Sequence, residues 1–326
     1  MCGAPRLILI PLFLAVTLAV AQPANIIFDT DIGNDVDDAL ALAMLHALES
    51  RGEAHLTAVT ITKDNRYAAP FIDLVNTFYG RPEIPIGMVH NGKTPQDSAM
   101  IRVPSERRNP DGSFVYPHRI TDGGAAPDAG TVLRQALARA ADGSVIIVQT
   151  GFSTNLARLL DSPVDVALIR RKVRLLSMMA GHFPLGPPEY NVKTDIPAAR
   201  QVFEHWPTPV VTSGFEIGQA LLFPARAVER DFQWAAQHPV ADAYRNYMKM
   251  PYDRPTWDLT AVLYALRPDG GYFDVSPPGR ITVDDQGQTH FAESPDGDRR
   301  YLILREAQKA RTLEALILLA TQPRGK

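Results

Sequence analysis

Five aspartates lie within ten positions near the start of the chain, in the segment NIIFDTDIGNDVDDA that runs from Asn25 to Ala39. Carboxylates this close repel one another, and none of them can be buried in its ionised form without a partner. A divalent cation would offset that repulsion. Because the segment offers oxygen ligands and neither cysteine nor histidine, it favours Ca²⁺ or Mg²⁺ over Zn²⁺, and several carboxylates acting together suit calcium best.

A second interpretation needs no ion, because aspartate is a common N-cap residue and exposed carboxylates are solvated. It accounts for Asp35 or Asp37, which stand at the start of a predicted helix. It accounts for neither Asp29 nor Asp31, which directly follow an apolar run predicted to be a buried strand. In a parallel sheet, ligands bind at the carboxyl ends of the strands, where these two residues are placed.

Short apolar runs alternate with helical patterns along the chain. Strands are predicted at 25–28, 56–62, 144–149, 173–179 and 209–212, and helices at 37–49, 68–79, 128–141 and 198–205. This alternation predicts an α/β fold in which a single large domain has a mostly parallel, Rossmann-like open sheet flanked by helices. The segment 279–306 predicts a small additional β region followed by a closing helix at 307–320, and 90–127 is predicted to be a long loop.

The first residues resemble a secretory signal peptide. Arg6 precedes the apolar run from Leu7 to Val20, and Ala19-Val20-Ala21 supplies the small-x-small pattern of a cleavage site. The run is shorter than the roughly 20 residues that span a bilayer. We therefore expect a signal peptide at 1–21, cleavage after Ala21, a mature domain at 22–326, and a secreted or periplasmic location.

Composition narrows the class of partner and of chemistry. A net charge of −3 offers no general attraction to nucleic acid or to an anionic membrane, so we expect a small-molecule ligand. Cys2 is the only cysteine and lies in the predicted signal peptide, which excludes thiolate catalysis and zinc-thiolate sites in the mature chain. The sequence leaves the oligomeric state open, a homo-oligomer included.

The aspartate segment resembles the signature of the inosine-uridine-preferring nucleoside hydrolases, Asp-x-Asp-Pro-Gly-x-Asp-Asp-Ala after a first strand. The matching residues are Asp29-Thr30-Asp31-Ile32-Gly33 and Asp37-Asp38-Ala39, with Ile32 in place of proline and two extra residues in the turn. Those extra residues allow a second register, in which Asp35 rather than Asp37 takes a metal or substrate role.

Further segments resemble motifs of the same family in the same order. They are Ala58 to Asn65, Thr150 to Leu156, Pro188 to Asn191, and Trp257 to Val262. The resemblance implies a calcium-dependent hydrolase of the N-glycosidic bond of a ribonucleoside or related ribosyl compound. It implies that calcium is held by Asp31, Asp38, Asp258 and the backbone carbonyl of Thr150, and that it binds the attacking water and two ribose hydroxyls. Asp31 would be the catalytic base.

The same resemblance implies that the substrate is bound by Asp37, Asn65, Glu189 and Asn191. Where many members have a histidine that protonates the leaving base, this chain has Trp257, whose indole has no proton to give. Trp257 could stack on a base instead, or simply pack. His182, His90 and His118 are candidates for a replacement acid. Two other functions stay open: a non-catalytic, calcium-dependent sugar- or nucleoside-binding protein, and a hydrolase of a different glycoside.

Overall fold

The computed structural model describes residues 22–325, so the predicted signal peptide lies outside the described part of the chain. The strands are β1 (Ala24–Thr30), β2 (Ala54–Lys63), β3 (Ile86–Lys93), β4 (Val145–Gln149), β5 (Val173–Met179), β6 (Val210–Ser213), β7 (Leu222–Phe223), β8 (Arg254–Pro255), β9 (Asp274–Val275), β10 (Gly279–Val283), β11 (Thr289–Glu293) and β12 (Arg299–Ile303).

The helices flank these strands in chain order. They are α1 (Asp37–Ser50), α2 (Ala68–Phe78), α3 (Ala99–Glu106), α4 (Ala129–Arg139), α5 (Thr154–Leu160), α6 (Pro163–Lys172), α7 (Tyr190–Thr194), α8 (Ile196–His205), α9 (Phe215–Gln219), α10 (Ala225–Arg230), α11 (Pro239–Tyr247), α12 (Trp257–Leu266) and α13 (Glu306–Ala320). None of the helices within residues 22–325 is both long enough and apolar enough to cross a bilayer.

A ten-stranded sheet forms the centre of the domain, in the order β11-β10-β12-β6-β5-β4-β1-β2-β3, with β9 paired to β12. The strands from β3 to β12 in this order pair in parallel, whereas β9, β10 and β11 pair antiparallel. The fold is therefore the predicted single α/β domain with a mostly parallel sheet and a small antiparallel region near the C-terminus.

The middle of the sheet is buried on both faces. β4 reads VIIVQ and is buried along its whole length, as expected for a parallel strand covered by helices. β1 lies between β2 and β4, with Asp29 in register with Thr60 on one side and Gln149 on the other. This register places the carboxyl end of β1 between those of β2 and β4.

The segment 90–127 differs from its prediction as a long loop. It begins within β3 and contains α3, whose Met100 and Ile101 are buried in the core. The helical pattern is hard to see in the sequence because α3 is short and contains Pro104. Burial of those apolar side chains against the domain compensates for the weak local helical preference.

Candidate active site

One cavity of about 360 Å³ lies where β1, β4 and β5 end and where α1 and α12 begin. It brings together all of the predicted site residues except Asn65. The residues that line it are Asp31, Asn34, Asp35, Asp37, Asp38, Thr150, Met179, Glu189, Tyr190, Asn191, Phe215, Tyr247, Arg254, Trp257 and Asp258.

Three buried carboxylates form the acidic centre of this cavity. Asp37, Asp38 and Asp258 each present an oxygen, and the three oxygens lie within 4.8 Å of one another. Asp37 and Asp38 open α1, and Asp258 lies in the first turn of α12, so two helix N-termini meet here. The backbone N–H of Asp258 donates to Oδ2 of Asp37 at 3.0 Å, which ties the two helix starts together.

The hydrogen bonds of Asp38 indicate that the cluster is suited to bind a cation. Its Oδ1 accepts hydrogen bonds from the Thr30 hydroxyl and, at 3.2 Å, from the Thr150 hydroxyl. Its Oδ2 is buried and has no hydrogen-bond partner among residues 22–325. A buried carboxylate oxygen without a partner is costly, and coordination of a hard cation would satisfy it.

Burial and mutual repulsion together raise the pKa values of these three carboxyl groups well above their ordinary value. Burial is the larger cause for Asp37, Asp38 and Asp258, and the charges of neighbouring aspartates add to it. An all-oxygen set of this kind fits Ca²⁺ or Mg²⁺, so these three residues are suited to hold a divalent metal ion.

Asp31 also lines the cavity but is not one of the three clustered carboxylates. The turn after it needs Gly33, whose φ of +106° is a conformation that other residues rarely adopt. Asn34 donates to Oδ2 of Asp31 at 2.8 Å, and the Lys63 ammonium donates to Oδ1 of Asn34 at 2.9 Å. Burial raises the pKa of Asp31 to about 6, although the hydrogen bond from Asn34 opposes the shift.

Asp29 lies behind the cavity and does not line it. Its Oδ1 accepts hydrogen bonds from the Thr60 hydroxyl at 2.6 Å and from the Asn155 amide at 2.9 Å, which connects β1 to β2 and α5. Its burial raises its pKa to about 7. The structure therefore gives Asp29 a role in positioning the strand end.

Asn191 and Glu189 shape the wall of the cavity beside α7. The Asn191 amide donates to the backbone carbonyl oxygens of Thr150 at 2.7 Å and Met179 at 3.1 Å. Glu189 accepts from the backbone N–H groups of Asn191 at 2.8 Å and Gly181 at 3.1 Å. Burial raises the pKa of Glu189 to about 7, and these N–H donors oppose that shift.

Asn65 is not brought together with the other predicted site residues. Its amide donates to the carbonyl oxygens of Pro95 at 3.1 Å and Gln96 at 3.0 Å, and its Oδ1 accepts from the backbone N–H of Tyr67 at 2.9 Å. These bonds hold the chain between β3 and α3. The contact of Asn65 with the sugar stays a prediction.

Asp35 and Asp37 occupy different parts of the cavity. Asp37 belongs to the carboxylate cluster, whereas Asp35 forms a two-point ion pair with Arg254, whose Nε donates to Oδ1 of Asp35 at 2.9 Å. The N-cap of α1 is Val36, and no side chain caps this helix. The N-cap interpretation of Asp35 or Asp37 is therefore wrong.

Aromatic side chains form the remaining wall. Trp257 stacks on Phe215 with ring centroids 5.3 Å apart, and its indole N–H donates to the Phe215 carbonyl at 2.9 Å. His90, His118 and His182 are not among the lining residues. Phe215, Tyr247 and Arg254 also line the cavity, although no local sequence pattern indicates that these separated positions reach the aspartate cluster.

Together, the mostly parallel sheet and the acidic cavity at the carboxyl ends of its strands define an α/β protein with a candidate metal centre. The chain belongs to the inosine-uridine preferring nucleoside hydrolase family, whose model matches residues 26–314. It is thereby a glycosyl hydrolase. No curated protein is similar enough to count as a match.

Solved structures share the fold at low sequence identity. The inosine-uridine preferring nucleoside hydrolase of Bacillus anthracis superposes with a TM-score of 0.69 at 19% identity, over 92% of this chain and 100% of that one. A plant nucleoside hydrolase, PpNRh1, superposes with a TM-score of 0.63 at 22% identity, over 92% of this chain and 100% of that one. The purine-preferring ribonucleoside hydrolase of Gardnerella vaginalis superposes with a TM-score of 0.66 at 19% identity, over 91% of this chain and 98% of that one.

Proposed function

We propose that this protein is a calcium-dependent hydrolase of the N-glycosidic bond of a ribonucleoside or related ribosyl compound. The observation that carries the proposal is the buried Oδ2 of Asp38, which has no partner among residues 22–325 and lies in a cluster with Asp37 and Asp258. Membership of the nucleoside hydrolase family supports hydrolysis of ribonucleosides.

The cation would be held by Asp31, Asp38, Asp258 and the Thr150 carbonyl, and Asp37 is close enough to join them. When bound, calcium offsets the repulsion among the carboxylates, lowers the pKa of water and binds sugar hydroxyls. The Thr150 carbonyl accepts one hydrogen bond from Asn191, and a carbonyl oxygen has a second lone pair for another partner.

Asp31 acts as the base in this proposal. As the water oxygen bonds to C1 of the ribose, the carboxylate takes the proton of the water, and the C–N bond breaks with its electron pair moving to the leaving nitrogen. Asn34 fixes the Asp31 carboxylate by a hydrogen bond to Oδ2 at 2.8 Å, which leaves Oδ1 to receive the proton.

Glu189 and Asn191 orient the sugar in the same proposal. Both side chains are buried, line the cavity and are held by backbone hydrogen bonds, so their conformations are fixed before the ligand arrives. A rigid set of carboxylate and amide groups can hold ribose hydroxyls in one orientation, which lowers the entropy cost of reaching the transition state.

Release of free ribose from a panel of purine and pyrimidine ribonucleosides tests the proposal. We expect release that a calcium chelator abolishes and added Ca²⁺ restores, and we expect Asp31→Asn to lower kcat/KM by at least about 10²-fold. Asp296→Asn is the matched control, because Asp296 is an exposed aspartate outside the cavity. Nucleoside binding without sugar release, or activity indifferent to chelator, would contradict the proposal.

We also propose that the chain is exported and that residues 1–21 are removed. The support is the sequence pattern of Arg6, the apolar run from Leu7 to Val20 and the small residues before Gln22. N-terminal sequencing of the protein recovered from the cell exterior or periplasm tests this, and the expected first residue is Gln22. A full-length chain confined to the cytoplasm would refute it.

A further inference from the structure

Arg254 brings a fixed positive charge to a cavity otherwise dominated by carboxylates. Its backbone lies in β8, where Arg254 pairs with Phe223 of β7, three residues before Trp257 at the start of α12. Its side chain is 22% exposed and lines the cavity. The guanidinium is thus held by regular structure at its base and faces the space that a ligand would fill.

One acidic and two aromatic side chains hold the Arg254 guanidinium in place. Asp35 binds Nε and Nη2 at two points, and Nη2 also donates to the Tyr247 hydroxyl at 3.0 Å. The guanidinium carbon lies 5.1 Å from the Tyr247 ring centroid and 5.2 Å from that of Trp257. An arginine held in this way loses little entropy when it forms one more hydrogen bond.

The third guanidinium nitrogen is available to a ligand. Nη1 makes no hydrogen bond to any group within residues 22–325, whereas Nε and Nη2 are both engaged. A guanidinium does not lose its proton near neutral pH, so it cannot act as an acid, but it can donate hydrogen bonds to an oxygen or nitrogen that is gaining negative charge.

We propose that Arg254, positioned by Asp35, binds the leaving base and stabilises the negative charge that develops on it. This inference rests on the proposed function. As water bonds to C1 and gives its proton to Asp31, the C–N bond breaks and its electron pair moves into the ring of the departing base. Nη1 of Arg254 donates to the oxygen or ring nitrogen that carries this charge, and the free base then takes a proton from solvent.

This role supplies the cavity with a group that assists departure of the base. No histidine within residues 22–325 lines the cavity, and the Trp257 indole N–H is already bonded to the Phe215 carbonyl. Asp35 is a positioning residue here, because it acts on the base only through Arg254. Asp35 lies in the turn that has two residues more than the family signature. The longer turn therefore supplies the carboxylate that holds Arg254.

Two substrates separate this role from a structural one. Inosine has a poor leaving group that needs stabilisation, whereas 4-nitrophenyl β-ribofuranoside has a good leaving group that needs little. We expect Arg254→Gln to lower kcat/KM for inosine by about 10²-fold, because one transition-state donor is lost, and to change kcat/KM for the nitrophenyl riboside by less than about threefold.

Asp35 is tested by the same comparison. Asp35→Asn should show the same selective loss on inosine, Asp35→Glu should recover part of it, and guanidinium ion should partly restore Arg254→Ala. Arg311→Gln is the matched control, because the Arg311 guanidinium lies 5.1 Å from the Tyr272 ring outside the cavity. A calcium-induced rise in unfolding temperature should persist in every variant, which reports an intact metal site without relying on activity.

The outcomes are distinguishable. Equal losses on both substrates, or no loss on inosine, would overturn the role of Arg254 while the hydrolase function stands. A wild-type protein that releases sugar from neither substrate would overturn the proposed function and this inference together.

Discussion

Asn191 is joined to Thr150 by a hydrogen bond of 2.7 Å from its amide to the Thr150 backbone carbonyl. The same amide donates to the Met179 carbonyl at 3.1 Å, so one side chain connects the ends of β4 and β5 to the start of α7. The loop that carries Glu189 is thereby held against the strand end that faces the carboxylate cluster. Asn191 thus connects the proposed sugar-binding wall to the proposed metal site.

Asn191→Ala should weaken both stability and substrate binding. Two buried carbonyl oxygens would lose their donor, which costs about 1–3 kcal/mol in the free energy of unfolding. We expect a rise in KM of at least about tenfold, because the wall beside α7 is no longer fixed. Urea unfolding and steady-state kinetics measure the two effects. Asn191→Asp should be worse, since its carboxylate would face two carbonyl oxygens, and a harmless Asn191→Asp would contradict this account.

Asp38→Asn should change stability in opposite directions with and without calcium. In chelator, the variant should unfold at a higher temperature than the wild type, because one buried, repelling carboxylate is removed and its amide can donate to a neighbour. With Ca²⁺ at 100 times its Kd, the wild type should gain about 2.7 kcal/mol, and the variant should gain far less.

Differential scanning calorimetry in chelator and in Ca²⁺ checks this reversal. Asp296→Asn is again the control and should respond to calcium as the wild type does. A variant that is less stable than the wild type in chelator would show that Asp38 is stabilising without an ion, which argues against the metal centre.

Much of the fold could be predicted because its central strands have strong local signals. β5 was expected at Val173 to Met179 and begins and ends there, and α1 begins at the expected Asp37. β3 and α6 were missed. The second half of β3, from His90 to Lys93, is polar. The apolar residues of α6 fall mostly in one run, from Val166 to Ile169, and show no helical spacing. Both depend on tertiary packing more than on local pattern.

The acidic part of the cavity was predictable from the sequence, because its residues follow strands or open helices within short motifs. The aromatic and cationic wall was not. Arg254 reaches Asp35 from 219 positions away, and a single arginine before a proline carries no signal of that contact. The same limit explains Asn65, whose position after β2 was predicted correctly but whose amide is engaged by a loop that the sequence did not define.

Gly151→Ala should displace the strand ends beside Asp31 and leave the hydrophobic core packed. A Cβ at this position would lie 2.6 Å from the Asp31 backbone nitrogen and in collision with the Thr62 hydroxyl, so the ends of β1 and β4 would have to separate. We expect kcat/KM to fall by at least about tenfold, since a small misplacement of reacting groups is costly.

Gly124→Ala is the control for Gly151→Ala, because its Cβ would meet only the flexible Asp122 carboxylate, at 3.3 Å. Kinetics of both variants, with circular dichroism to confirm folding, test the prediction. Full activity in Gly151→Ala would show that the spacing of the two strand ends is not critical for Asp31.

Two buried histidines should make the fold less stable in mild acid. Burial lowers the pKa of His46 from 6.5 to about 4, although the hydrogen bond to Asn76 at 2.9 Å opposes this shift. Burial also lowers the pKa of His238 to about 3 among Phe78, Phe232 and Trp234. Between pH 6.5 and 4 the unfolded chain binds more protons at these sites than the folded chain does, so stability falls as the pH falls.

His46→Gln isolates this effect, because glutamine can still bond to Asn76 and does not titrate. Each pKa unit is worth about 1.4 kcal/mol, so the wild type should lose about 2 to 3 kcal/mol more than the variant between pH 7 and pH 4.5. Urea unfolding of both proteins at the two pH values measures this difference. The carboxyl groups with raised pKa values, Asp29 and Glu216 among them, oppose the loss in both proteins and so cancel in the comparison. Equal losses in the two proteins would mean that His46 takes up its proton in the folded state, so that its burial does not exclude the charged form.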